Sequence, residues 1–202
     1  MMSGLINGGR LLTEYAIAEW INNLTSASYP GADGKALAAT DHPRNAARAG
    51  TWSNLESAAA LSLTSFTTAR TNLRTRGSSD YGYVMPIMPK LLVVPPALEK
   101  MARDLKHAEK NPSNALNEPN TFRDDDWTVK VYDYFTSSTN WFLMGNIEDS
   151  NKGIVYAVTT QPSIASLEGK DLSTDVIWGQ RLRARFVVSG FDGQGIQFNA
   201  GA

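Results

Sequence analysis

Leu12, Ala16, Trp20 and Leu24 fall four residues apart with Ile17 and Ile21 beside them, and this spacing predicts a helix that lays one apolar stripe on a core. Thr25 to Gly31 ends it, with Pro30-Gly31 as the stop. Met1 to Arg10 is rich in Gly and Asn without a period and predicts a loose lead-in. Ala32 to Trp52 carries Asp33-Gly34, Pro43 and Gly50 among small residues, the composition of a long irregular connection. Ser53 and Glu56 have the spacing of a capping box, so a second helix is expected to open there, with Leu55, Ala59, Leu63, Phe66 and Leu73 as its buried face. Arg74 and Arg76 complement its negative end, and Gly77 suits the closing left-handed cap.

Leu91 to Val94 is a short apolar run, as a buried strand requires. Pro95-Pro96 breaks it and opens a third helix whose stripe is Leu98, Met101, Ala102 and Leu105, ended by Asn111-Pro112. Ser113 to Asp126 is polar and turn-rich, a surface loop. The period then changes to two: Trp127, Val129 and Val131 oppose Thr128, Lys130 and Tyr132. Trp141 to Met144 and Ile154 to Val158 read as further strands. In the last long strand Leu182, Ala184, Phe186 and Val188 point one way while Arg181, Arg183 and Arg185 point the other. Asp192-Gly193 predicts a hairpin turn into Ile196 and Phe198. Three helices and five or six strands without a βαβαβ rhythm or an internal repeat predict an α+β fold.

The 202 residues, 42% hydrophobic and 19% charged, suffice for one large domain or two small ones. Nineteen basic residues against twenty acidic ones leave no bulk charge to drive the chain onto nucleic acid or an anionic membrane, so any DNA contact is expected to be local and weak. The absence of cysteine removes disulfides, thiol nucleophiles and thiolate metal sites together. No run approaches the ~18–20 apolar residues of a membrane span, and the N-terminus lacks the layout of a secretion signal, so a soluble, unexported chain is expected.

Chemistry-bearing residues are sparse. His42 and His107 are the two near-neutral acid/base candidates. His107 sits among Lys106 and Lys110 near a helix end, the place of a dipole partner. His42 follows Asp41, so an Asp-His pair serving a hydrolase is conceivable, but no Gly-x-Ser-x-Gly turn accompanies it. Asp124, Asp125 and Asp126 lack the alternation and central Gly of a calcium loop and read as a solvated turn. No phosphate loop, zinc spacing or dinucleotide fingerprint is present, and no cofactor or metal is expected. Arg181, Arg183 and Arg185 would stand ~7 Å apart on one strand face, placed to meet carboxylates of a neighbouring subunit or phosphates inside a shell. The competing reading is a face solvated or paired within its own sheet. The Trp, Tyr and Phe residues are read mostly as core.

Beyond single residues, the order of segments is informative. Asp33-Gly34-Lys35-Ala36-Leu37 through Asp41-His42-Pro43, then Asn54-Leu55, then the Met88 to Glu99 stretch with Leu92-Val93-Val94-Pro95-Pro96, resembles the Mu-like major head subunit family of tailed phages. Trp141-Phe142-Leu143, and Arg183-Ala184-Arg185-Phe186 followed by Gly190-Phe191-Asp192, are similar to its aromatic strand and closing strand. The resemblance spans Asp33 to Ala202. It implies an HK-97-like capsid fold with peripheral-domain helices and connecting loop in residues 1–80, an axial domain in 81–172, and a returning strand and hairpin of the peripheral domain in 173–202. That family's N-terminal arm, extended loop and spine helix precede the matching region, so they are expected to be missing or short here. The implied role is a non-enzymatic major capsid protein of the virion, assembled in the host cytoplasm. Its implied partners are copies of itself in pentamers and hexamers, weakly held double-stranded DNA, and a separately encoded N-terminal half, scaffold or decoration protein. An encapsulin-like compartment shell is the neighbouring alternative, and a small hydrolase using His42 the distant one.

Overall fold

The computed structural model describes residues 2–44, 50–76, 84, 86–110, 118–145, 153–168 and 178–201. In chain order the elements are α1 (Met2–Asn22), β1 (His42–Pro43), β2 (Thr51–Trp52), β3 (Leu55–Glu56), α2 (Leu63–Arg76) and β4 (Pro89–Val94). There follow a 3-10 turn (Pro96–Leu98), α3 (Glu99–His107), β5 (Thr128–Val131), β6 (Trp141–Gly145), β7 (Gly153–Glu168), β8 (Trp178–Asp192), a second 3-10 turn (Gly193–Gly195) and β9 (Ile196–Asn199). The mixture is α+β, as the residue pattern predicts.

A five-stranded sheet ordered β3-β9-β6-β4-β5 is the centre of the molecule. The β6 strand is buried along almost its whole length because both faces of the sheet are covered. Trp141 and Leu143 face one cluster with Phe66, Leu73, Leu92, Val94 and Leu105, under α2 and α3. Phe142 faces the other with Ile21, Leu24, Leu37, Val93, Ile196 and Phe198, on the α1 side. Its strands come from each of the segments 1–80, 81–172 and 173–202. The Pro95-Pro96 step behaves as its chemistry demands: β4 stops, a 3-10 turn with proline in its first turn follows, and α3 carries the chain across to β5, which pairs parallel to β4.

Three local expectations are corrected. The N-terminal segment is helical from Met2 instead of irregular, because tertiary packing overrides its weak propensity. Gly9 lies so close to β8 that a Cβ there would stand 2.7 Å from Leu182 Cδ2. The second helix does not open at Ser53. Leu55 and Glu56 instead form an edge strand paired parallel with Phe198 and Asn199. The true cap lies further on, where Ser62 N–H donates to Ser65 Oγ at 2.9 Å and Ser65 N–H to Ser62 Oγ at 3.1 Å. Ser62→Ala is therefore expected to cost about 1 kcal/mol in urea unfolding, against almost nothing for Ser53→Ala. Gly77 and Asn111-Pro112 lie outside the described residues.

Nor is Asp192-Gly193 a hairpin. Asp192 Oδ1 accepts from Gln194 N–H and caps a 3-10 turn, and β9 then leaves β8 to enter the five-stranded sheet between β3 and β6. A Cβ at Gly193 would meet Leu37 O at 2.5 Å and Asn54 Nδ2 at 2.6 Å, so this crossing point is too tight for a side chain. What β8 does pair with is β7, in a two-stranded antiparallel ribbon running from Gly153↔Asp192 to Glu168↔Trp178. At 16 residues, β7 is ~50 Å long, far beyond the five residues of Ile154 to Val158. Pro162 breaks the apolar pattern but not the strand, since register shifts on either side of Thr160 accommodate it.

Candidate assembly surface

A two-stranded ribbon of this length is marginal in water without something against its faces. One face has α1. Gly9 meets Leu182, and a Cβ at Gly190 would stand 2.7 Å from the Trp20 ring, so two glycines let helix and strand lie in contact. Between these points the fit is incomplete. A cavity of about 390 Å³ remains, lined by Gly9, Thr13, Tyr156, Val158, Ile164 and Phe186 among others.

On the ribbon, Arg181, Arg183 and Arg185 are all exposed. The residues across from them on β7 are Ala165, Ser163 and Thr160, none acidic. Among the described residues no carboxylate pairs with any of the three, so pairing within their own sheet is not seen. Arg185, beside the register shift, also borders the cavity next to Arg10. Val155, Tyr156, Val158 and Val187 are exposed apolar residues of the same ribbon, Val187 at 58%. A second exposed apolar group lies on α1 at Leu11, Leu12 and Tyr15, with Tyr134 edge-on to Tyr15 at 5.5 Å between ring centroids. Tyr132 beside it has its phenol pushed up to about 12, by burial first and then by Glu14, and stays protonated.

The remaining candidates turn inward. His42 is 1% exposed and stacks on Trp52 at 4.2 Å. Its Nδ1 lies 2.6 Å from Asp33 Oδ2 and its Nε2 3.0 Å from Asn54 Oδ1. The Asn54 amide is oriented by its other bonds: Nδ2 donates to Leu37 O and Gly193 O, while Oδ1 accepts Ala39 N–H. Both ring nitrogens therefore face oxygen partners within the protein. Neither is left for a substrate. Asp41, the neighbour in sequence, pairs with Lys35 at 2.5 Å instead. The Asp124 to Asp126 run is divided too: Asp125 pairs with Arg70 and Asp126 with Lys90, and the Lys90 hydrogen bond holds Asp126 below the usual carboxylate range. His107 is exposed in the last turn of α3. Among the described residues no group of three or more His, Cys, Asp or Glu could hold a metal ion, and no helix is long and apolar enough to cross a membrane.

Arg76 and Asn54 are the polar residues that sequence reading underrated. Arg76 closes α2, where an arginine reads as a dipole partner. Instead its guanidinium is buried, donating to Ser53 O at 3.3 Å, Gln194 O at 2.9 Å, Ile196 O at 2.8 Å and to Gln197 Oε1. Nothing local announces this, because its partners on β9 lie more than a hundred residues away.

The sequence model of a family described as Phage capsid protein matches residues 6–198. No curated protein matches the chain.

Proposed function

We propose, because the chain belongs to the phage capsid protein family, that it builds an icosahedral phage head by self-association into pentamers and hexamers around packaged double-stranded DNA. Family membership by itself makes the chain a structural protein of the virion. The observation that carries the finer reading is the β7–β8 ribbon, which displays exposed apolar side chains and three arginines without carboxylate partners among the described residues. Surfaces of this kind have a use when copies of the chain cover them. The fold we infer is HK-97-like. In place of the division into 1–80 and 173–202 as peripheral and 81–172 as axial, we group the five-stranded sheet, α2 and α3 as the axial part and α1 with the ribbon as the peripheral part, because the sheet draws strands from all three segments. A net charge of −1 supports weak, non-specific contact with DNA.

Electron microscopy and sedimentation of the concentrated protein test the reading. Closed particles or capsomer rings are expected, and a monodisperse monomer at high concentration would overturn it. Replacing Arg181, Arg183 and Arg185 together by Ser is expected to weaken association about tenfold or more, through three lost ionic contacts, while thermal unfolding stays unchanged. Unaltered particle yield combined with reduced DNA content would assign the row to the lumen.

A further inference from the structure

The two strands of the ribbon differ in how their outer edges are protected. Among the described residues no strand pairs with the outer edge of either, so each presents a row of backbone N–H and C=O groups ready to accept another strand. The β8 strand carries Arg181, Arg183 and Arg185, charges that discourage such pairing. On β7 the stretch from Ile154 to Leu167 contains no Asp, Glu, Lys or Arg, and the charge the strand does carry, Glu168, stands at its far end. Pro162 and the register shifts around Thr160 interrupt its far half. The half nearer the body is regular and bears Val155, Tyr156 and Val158, each 38% to 43% exposed. A regular, uncharged, β-branched edge strand is one that natural proteins cover.

We propose that the edge of β7 over Ile154–Val158 pairs antiparallel with the same edge of a second copy across a two-fold axis, joining two ribbons into one four-stranded sheet. Charge selects this occupant. Pairing β8 with β8 would set two arginine rows side by side. Pairing β7 with β8 would be heterologous, seating the uncharged edge against the arginine-bearing one and closing only as a ring, with an uncharged edge left open wherever the ring is incomplete. Pairing β7 with β7 closes, and leaves an arginine-bearing β8 at both rims of the new sheet. Five residues give only ~16 Å of shared edge, too small a contact to bury the ~800 Å² per partner of a stable free dimer. The contact therefore belongs among several that each copy makes at once, and in this it rests on the shell reading above.

The chain contains no cysteine, so single introduced thiols report proximity directly. Val155→Cys, Tyr156→Cys, Ala157→Cys and Val158→Cys, singly and in mixtures of adjacent pairs, are oxidised in concentrated protein beside Val187→Cys on β8. Directly opposed residues of antiparallel strands come within disulfide reach. A cross-linked dimer is expected at one position or one adjacent pair, at least tenfold above Val187→Cys. Particles in the microscope without a β7 cross-link, or with equal cross-linking at Val187→Cys, overturn the pairing and leave the shell reading intact. A β7 cross-link without particles sustains the pairing and sinks the shell reading. Neither particles nor cross-link ends both.

Discussion

Arg76→Met is expected to destabilise the folded chain by about 4 kcal/mol, measured as a shift in urea midpoint at unchanged slope. The methionine fills the stem's volume but donates nothing. It would leave Ser53 O, Gln194 O, Ile196 O and Gln197 Oε1 without the guanidinium that bonds them. Buried acceptors stripped of a charged donor cost more than the bond itself contributed. The Trp52 ring, 5.2 Å from the guanidinium carbon, loses its cation as well. Arg76→Lys keeps the charge without the planar fork and should fall between the two. Burial pulls the guanidinium below its ordinary value, with Asp192 opposing the shift. The four acceptors bonded to it hold the charge in place, so the group adds no pH dependence to stability in the neutral range. From pH 6 to 8 the group is charged in both states. The Arg76→Met deficit should therefore be flat across that range, and a deficit that varies steeply there would contradict the burial argument.

Arg76 also marks where the amino-acid pattern stops being informative. The stripe at Ile17 and Ile21, the run Leu91–Val94, the Pro95-Pro96 step and the alternation of Arg181, Arg183 and Arg185 are periodic or local signals, and they give the right elements in the right places. Ser53–Glu56 has the local signature of a capped helix, yet the segment lies beside β9 and is drawn into a parallel ladder. Asp192-Gly193 has the signature of a hairpin, yet the strand that follows finds its partners in β3 and β6. In each case a long-range pairing outweighs a preference worth about 1 kcal/mol. The assembly surface divides the same way. The arginine row was visible as a pattern. The uncharged edge of β7 was not, because only the structure shows that the strand continues through Pro162 and has one side unpaired among the described residues.

Asn54→Ala should cost about 3–4 kcal/mol in the same measurement, although the residue is small and lies in a short connection. Its amide bonds the carbonyls of Leu37 and Gly193, the N–H of Ala39 and the His42 ring, all in a buried setting. Each group left without a partner carries a penalty of about 1–3 kcal/mol, discounted because one cavity and one relaxation are shared. The bond to Gly193 spans 139 residues and ties the connection after α1 to the turn where β8 hands over to β9. Loosening it should therefore raise hydrogen exchange at the root of the ribbon before it does so in the five-stranded sheet. Asn54→Asp separates this account from simple loss of volume. It preserves the shape but sets a carboxylate oxygen against the two carbonyls that the amide nitrogen now satisfies, and should cost at least as much as Ala. His42→Ala belongs to the same series, with an expected loss of about 2–3 kcal/mol, since its ring nitrogens are both engaged. Wild-type stability in Asn54→Asp would mean that the amide is oriented the other way, with its oxygen no longer held toward His42.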